Sequence, residues 1–420
     1  MKMSDDGNET ITREAMSLET NFDESVMGII GETVRVRTPQ LVELRRDIHA
    51  HPETAWNEFR TTRLVAERLA VLGLPVEPSE GAAGLVTEIV GDQSGPVVAL
   101  RADLDALPLE DLKEVPYRSE RPGVAHACGH DVHTSALVGA AEALHRLAAS
   151  QRLPGTVRLL FQPAEEVTPG GASKLIGEGA LRGIDRVFAL HCDPHLEVGR
   201  LGVRTGPITA AVDSVTVRLA GPGGHTARPH LTSDLVGALA DVATRLPALL
   251  SRRVDPRAGA SVVWGYLHAG SAGNAIPSHA EASASVRVLD RDVWVSMREL
   301  IPELIAQIVA PYGAELNVEY VIGVPPTVND AASTGLVRQA AAAVLGIDCV
   351  DETPRSMGGE DFAWMLEEVP GTLARLGVRR PGVTPIVDLH RGDFDVDERA
   401  IAYGAELLAV IAVAALAEPR

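Results

Sequence analysis

Apolar residues recur along this chain at two spacings. Leu41, Leu44 and Ile48 fall on one helical stripe, and Thr38-Pro39 ahead of them has the form of an N-cap followed by proline at the first helical position. That helix should end near His51-Pro52, and a second runs from about Glu58 to Leu72 with Leu64, Leu69 and Leu72 inward. Leu85 to Val90 and the short apolar run Val97 to Leu100 read as strands, the latter buried on both faces. Leu137, Ala141, Leu144 and Ala148 predict a further helix, and Thr156 to Phe161, Val187 to Leu190 and Thr384 to Leu389 predict strands. A long apolar helix, Glu398 to Leu416, closes the chain.

Between Ile208 and Val324 the pattern changes to alternation. Asp213 to Ala220, Ser261 to Ala269, Glu281 to Leu289 and Glu315 to Ile322 read as half-buried strands, with helices at Asp234 to Leu250 and Val293 to Val309. The order β-α-β-β-α-β is the ferredoxin-like plan. Pro207 and Pro325-Pro326 mark its crossings into and out of the surrounding α/β unit. The expected architecture is an open, mostly parallel α/β sheet domain, residues 35–207 plus 325–420, interrupted by an inserted domain at 208–324. Residues 1–34 are polar and acidic and read as a flexible extension, with no signal peptide and no membrane span.

The 420 residues suffice for two cores, and a formal charge of −19 disfavours nucleic acid and anionic membranes as partners. Three widely spaced cysteines form no disulfide framework, which suits the cytoplasm.

Candidate chemistry begins at Val124 to His133, V-A-H-A-C-G-H-D-V-H, where metal-binding side chains crowd ahead of a helix. Gly129 lets the backbone bend so that Cys128 and His130 face one point. Four predicted strands end in acid–base or metal-binding residues: Asp103 and Asp105, Glu165-Glu166, His191, and His390. In open α/β sheets, the crevice beyond the strand carboxyl ends is where sites form. Cys128, His130, Glu166, His191 and His390, with Asp103 and Asp105 near, exceed the needs of one structural zinc and suit two metals sharing a bridge. Of the adjacent pair, one glutamate can serve a metal and the other the attacking water as general base. His225 in a glycine-rich turn reads either as a contact to a substrate oxyanion or carboxylate, or as a solvated turn residue. Asn274 is a second candidate contact, and Arg287 suits either a substrate carboxylate or a structural aspartate.

These stretches resemble the dinuclear-metal amidohydrolases of the aminoacylase and carboxypeptidase clan. The branch of hippurate hydrolases, auxin-conjugate hydrolases and N-acyl-amino-acid deacylases is the nearest match. The resemblance rests on R-R-D-I-H-A-H-P-E from Arg45, R-A-D-L-D-A-L-P from Arg101, H-A-C-G-H-D-V-H from His126, F-Q-P-A-E-E from Phe161, G-G-H-T-A-R-P-H from Gly223 and M-G-G-E-D-F from Met357. It implies two divalent ions per subunit (Zn2+, Mn2+, Co2+ or Ni2+) on Cys128, His130, Glu166, His191 and His390, with Cys128 bridging. Glu165 takes the place of the general base. Asp105 takes that of an aspartate orienting a ligand, and Asp103 that of a metal histidine in other branches.

The resemblance further implies a homodimer through the inserted lid domain. His225 would complete the site of a partner subunit and Asn274 would contact substrate. The implied reaction removes the acyl group from an N-acyl amino acid. The alternatives are a carboxypeptidase or dipeptidase with the same metals, a thiol hydrolase built on Cys128, and a metal-binding dimer without catalysis. Gly392 stands where the family's usual proline follows the last ligand, so the loop beside His390 is expected to be more flexible and polar.

Overall fold

The structure, a computed structural model, describes residues 22–76 and 83–418. Helix α1 (Glu24–Ala50) and helix α2 (Phe59–Ala70) precede strands β1 (Leu85–Val90) and β2 (Gln93–Asp103). Helix α3 (His130–Ala149), β3 (Pro154–Gln162), α4 (Gly171–Gly177) and β4 (Arg186–Glu197) follow, then the short β5 (Leu201–Val203) and β6 (Gly206–Thr209). The inserted unit comprises β7 (Ala211–Ala220), β8 (Gly224–His225), α5 (Leu235–Arg253), β9 (Ser261–Ala269), β10 (Ala275–Ile276), β11 (His279–Val288), α6 (Arg291–Val309) and β12 (Glu315–Val324). The chain returns through β13 (Thr327–Asn329), α7 (Ala331–Leu345), β14 (Val350–Glu352), α8 (Ala363–Glu368), β15 (Gly371–Arg379) and α9 (Arg399–Ala417).

The main sheet has the order β1-β3-β2-β4-β15-β5-β14. Pairings β3–β2, β2–β4, β4–β15 and β5–β14 are parallel, while β1–β3 and β15–β5 are antiparallel. Because β3 lies on one side of β2 and β4 on the other, the winding reverses there, and a crevice opens beyond the carboxyl ends of these strands. Helices α1, α3 and α9 cover one face with a continuous apolar core, and α4 and α8 cover the other. Helix α9 is apolar enough to cross a membrane by length and composition, alone in this among the described residues, yet it is buried against α1, α3 and the sheet. The inserted unit has its own sheet, β12-β7-β11-β9, all antiparallel, with α5 and α6 packed on one face around a separate core. That is the ferredoxin-like order expected from the alternation.

Three expectations are corrected. Thr38-Pro39 does not start a helix: α1 is capped by Asp23, whose side chain accepts the Ser25 amide at 2.8 Å, and runs straight through Pro39. Thr38 instead donates its hydroxyl to the Val34 carbonyl at 2.8 Å. Val26, Ile30 and Val34 continue the buried stripe of Leu41, Leu44 and Ile48. Burying three such side chains contributes about 1.5–3 kcal/mol each, against about 3 kcal/mol for an interior proline. The flexible extension therefore does not reach residue 34; residues 1–21 lie outside the described residues.

Second, Thr384 to Leu389 is an exposed irregular loop, with Pro385 withholding a ladder donor. The strand in that part of the sheet is β15. Third, β4 does not stop at His191 but continues to Glu197. Its pairing with β2 reaches only Ala189, so on that side His191 lies past the last paired residue.

Glycine substitutions probe this packing. A Cβ on Gly139 of α3 would sit 2.6 Å from Leu41 Cδ1 and 2.8 Å from Ala405 Cβ, whereas one on Gly28 of α1 would meet nothing within 4 Å. Leu41 can rotate, but Ala405 moves only with its helix. Gly139→Ala is expected to cost about 1–3 kcal/mol despite its better helix propensity, and Gly28→Ala to gain about 0.5–1 kcal/mol. Urea midpoints moving in opposite directions would bear this out; two increases would refute the close helix crossing.

Candidate metal centre

Gly129, at φ 86°, ends the loop after β2 and starts α3, because a side chain there would meet Cys192 Sγ at 2.7 Å. The turn sets Cys128 and His130 on either side of it, both buried. His130 Nδ1 donates to the Asp105 carbonyl at 2.9 Å, which leaves the Nε2 lone pair free, buried and without a partner. His191 Nδ1 likewise donates to the Cys192 carbonyl at 2.8 Å, and its Nε2 lies 3.5 Å from Cys128 Sγ. Glu166 Oε1 is also buried without a hydrogen-bond donor, 3.8 Å from His130 Nε2 and 3.3 Å from His390 Nε2. His390 holds φ 61°, a strained backbone for a non-glycine residue, of a kind that clusters at binding sites.

Donor atoms of Cys128, His130 and His191 lie within 4.8 Å of one another, as do those of Cys128, Glu166 and His390, and those of His130, Glu165 and Glu166. Five candidate ligands from distant segments thus meet at one place, with Cys128 common to two of the triads. A thiol, imidazoles with their lone pairs turned inward, and an undonated carboxylate form a donor set that fits borderline divalent cations.

The electrostatics point the same way. Burial, then Glu166 and Glu165, push the Cys128 thiol well up. Burial, Glu360 and Glu166 do the same to Glu165. Burial opposes charge on His130, but Asp103 and Asp105 outweigh it and raise it to about 10. These are the shifts of an anionic pocket in want of positive charge.

Asp103 and Asp105, expected as catalytic groups, do not line the cleft; both are buried behind it. Asp103 accepts from His133 Nδ1 at 2.6 Å and from Arg101 at 2.5 Å, while His133 Nε2 accepts the Cys192 amide at 2.8 Å. Asp105 accepts the amides of Glu165 at 3.0 Å and Glu166 at 2.9 Å. Both aspartates are thus occupied by neighbouring groups of the protein. Glu58, at the start of α2, accepts the Ala164 amide at 2.7 Å, and Ala164 holds φ 53°. Three successive amides are thus fixed by two buried carboxylates, Glu58 and Asp105. Glu165 Oε falls among Glu360 and Asp361, while Glu166 faces the histidines.

The cleft, about 580 Å³, is lined by Cys128, Glu165, Glu166, His191, His390 and Arg287 among others. Arg287 donates to the Met357 carbonyl, not to a structural aspartate. His225 and Asn274 lie together, exposed, on the β8–β10 ribbon, where the Thr226 amide donates to the Asn274 carbonyl at 3.3 Å. Neither lines the cleft of its own chain. Sequence reasoning missed Glu58, His133 and the Glu360–Asp361 pair. His133 carried a signal, since it is one turn beyond His130 on the same buried helix face; Glu58 carried none.

A family model described as peptidase family M20/M25/M40 matches residues 99–414. A Bacillus subtilis (strain 168) protein named N-acetyl-L-cysteine deacetylase is 40% identical over 362 residues, 86% of this chain and 85% of its own. A Rhodococcus jostii (strain RHA1) protein with a glutamate–cysteine ligase name is 48% identical over 90% of this chain, which spans only 47% of that longer protein. The crystal structure of the YXEP protein of Bacillus subtilis, described as a dinuclear metal binding peptidase, superposes with a TM-score of 0.80 at 32% identity, over 91% of this chain and 99% of that one.

Glu58 offers a test of the strained loop. Burial and Asp105 raise its carboxyl to about 7. Its folded value therefore exceeds its unfolded one, so the proton stabilises the fold below about 4.5 and that contribution is lost as pH rises to about 7. Glu58→Gln keeps an acceptor for Ala164 and cannot ionise. It should equal the wild type in urea denaturation at pH 4.5 and exceed it at pH 8; a constant difference at both pH values would refute the assignment.

Proposed function

Because this chain belongs to peptidase family M20/M25/M40, whose members act on amide bonds with divalent metal ions, we propose that it removes the acyl group from N-acyl amino acids, with Glu165 as general base. In this reading Cys128, His130, Glu166, His191 and His390 would hold two ions, Cys128 being common to two of the donor groups. Bound divalent cations polarise a carbonyl and make water acidic enough to attack near neutral pH. The identity of the ions is open among Zn2+, Mn2+, Co2+ and Ni2+, because such sites follow supply as much as affinity.

The observation that carries the reading is a second carboxylate beside the candidate ligands. Asp105 holds the amides of both glutamates, and both line the cleft. While Glu166 groups with Cys128 and His390, Glu165 stays within 4.8 Å of Glu166 and His130 without belonging to either cysteine-containing set. A pure binding site has no use for the second one. Glu165 takes a proton from the attacking water as its oxygen bonds to the acyl carbon, and returns it to the nitrogen as the C–N bond breaks. The products are a carboxylic acid and an amino acid. Asp103, through His133 and the Cys192 amide next to His191, and Asp105, through its carbonyl to His130 Nδ1, hold the histidine-bearing segments in place during this exchange. Arg287, in the same cleft, is placed to receive the amino acid's carboxylate. The deacylase reading is preferred to a carboxypeptidase because the Bacillus relative, similar along most of both chains, is named as a deacetylase.

The same reading makes the protein a homodimer through the inserted unit, in a reducing compartment such as the cytoplasm, with three free thiols. His225 then serves the site of the other subunit, since in its own chain it is exposed and outside the cleft.

Two outcomes are expected. Chelation should abolish hydrolysis of N-acetyl and N-benzoyl amino acids, and Zn2+, Mn2+ or Co2+ should restore it. Glu165→Gln should lower kcat by about 10²–10⁴-fold with bound metal unchanged by elemental analysis. Turnover that survives chelation would instead favour a Cys128 nucleophile. Mixing inactive Glu165→Gln with inactive His225→Ala protein should recover up to about a quarter of wild-type activity, the share of sites intact in a random dimer mixture. No recovery after verified subunit exchange would remove the role assigned to His225.

A further inference from the structure

The cleft contains a cation that the reaction above does not use. Arg375 lies in the middle of β15, in register with His191 on the parallel strand β4. Residues in register on adjacent parallel strands point to the same face, about 4.8 Å apart. The Arg375 side chain therefore leaves the sheet beside the His191 imidazole and lines the same cleft as Glu165 and His390. The proximity is felt electrostatically: after burial, Arg375 is the largest influence holding His191 below its ordinary value.

Arg375 also lacks a partner. Acidic residues outnumber basic ones 57 to 38, and other arginines here find carboxylates at close range, as Arg45 does with Asp131 at 2.6 Å and Arg200 with Asp351 at 2.6 Å. Among the described residues, Arg375 makes no ion pair and no side-chain hydrogen bond. Arg375 as a residue is half-buried, and none of its nitrogens is among the fully buried atoms without a partner, so the guanidinium is open to the cleft that it lines. The space beside it is shaped as well. Strand β5 sets Gly202 against Arg375, and a Cβ there would come 2.9 Å from Thr353 Cβ and 3.3 Å from Arg375 Cβ. Thr353 and Arg355, which also has no ion pair among the described residues, line the cleft at this end. A guanidinium free of partners in a cleft suits a carboxylate, which arginine binds through two parallel hydrogen bonds.

Resting on the deacylase reading, we propose that Arg375 determines specificity by binding a second carboxylate of the substrate, so that the preferred substrates are N-acyl amino acids carrying two negative charges. Arg287, tethered to the Met357 carbonyl on the inserted-unit side, remains for the carboxylate common to all such substrates.

The test compares isosteric pairs that differ by one charge: N-acetylglutamate with N-acetylglutamine, and N-succinyl-leucine with its terminal amide. The metal-loaded enzyme should prefer the charged member of at least one pair by about 10-fold or more in kcat/KM, chiefly through KM. Arg375→Met should bring that ratio to about one, Arg375→Lys should retain part of it, and Arg375→Glu should invert it. No preference in the wild type, or a preference that Arg375→Met leaves intact, would overturn the proposal. So would equal losses on both members, which would make Arg375 a reader of the common carboxylate. If the wild type hydrolyses none of the four, the deacylase reading fails. Calorimetric binding of the same pairs to metal-loaded wild type and Arg375→Met then decides the Arg375 assignment by the same ratio.

Discussion

One buried guanidinium holds the site together. Arg101, 1% exposed, donates to Gln162 at 2.9 Å, to Asp103 at 2.5 Å, to Glu360 at 3.1 Å and to Asp361 at 3.0 Å. It thereby ties β2, the end of β3 and the loop ahead of α8 at the point where negative charge is densest. Desolvation of so many ions is recovered only if each is paired with good geometry, and removing one partner of such a set costs about 3–5 kcal/mol. Even so the set is not neutral. Burial and Glu360 leave Asp361 raised to about 7 against the pull of Arg101, and burial with Glu360 holds Glu165 well above its ordinary value. Arg101 supplies a permanent cation behind the centre, and ions held on the cleft side would supply further compensation, which would link occupancy of the centre to stability of the fold.

The backbone follows from this concentration of charge. Ala164 and His390 both hold left-handed conformations, and each immediately precedes or is a side chain that must face the cleft. Strain of this kind costs about 1–3 kcal/mol per residue and persists only where surrounding contacts over-determine it. At Ala164 those contacts are the amide bond to Glu58 and the carbonyl bond from the Gly171 amide at 3.0 Å. At His390 they include its amide bond to the Ala127 carbonyl at 2.8 Å, which couples the last candidate ligand to the Cys128 loop. Distant segments are thus registered through their backbones before any side chain meets a cation.

Legibility in the sequence divided along physical lines. Cys128, His130, Glu165 and Glu166 stood out because each lies in a short run of chemically unusual residues, and the structure brings them within a few ångströms. The inserted unit was legible because a sheet covered on one face alternates. Strand β15 was not, because it is buried on both faces and carries Gly371, Thr372, Arg375 and Gly377, which break any apolar run. Ile386, exposed and followed by Val387 and Leu389, gave a false strand nearby, since hydrophobicity alone does not report burial. Pro39 misled in the same way: a local breaker was outweighed by a stripe of buried side chains on either side of it. An orienting place for Asp105 was implied by the resemblance, whereas the bond of Asp103 to His133 was invisible because it depends on where the end of β2 meets α3.

The inserted unit is joined to this frame by a stiff crossing. Asp213, at the start of β7, accepts from Trp294 Nε1 at 2.8 Å, from the Tyr320 hydroxyl at 2.7 Å and from the Gly323 amide at 2.9 Å, all inside the inserted unit. One buried carboxylate therefore locks both connecting strands, β7 and β12, to helix α6. Beside it, a Cβ on Gly359 would come 2.8 Å from Val212 and 3.0 Å from Val324, so the loop bearing Glu360 and Asp361 can press against the crossing only as glycine. Arg287 on β11 completes the contact through the Met357 carbonyl of that same loop. The wall of the cleft is in this way referenced to the loop that carries the partners of Arg101, and through Arg101 to the floor. A substrate group gripped from the wall by Arg287 and one gripped from the floor by Arg375 are then held at a separation set by the fold, which is the condition for reading substrate length and charge together.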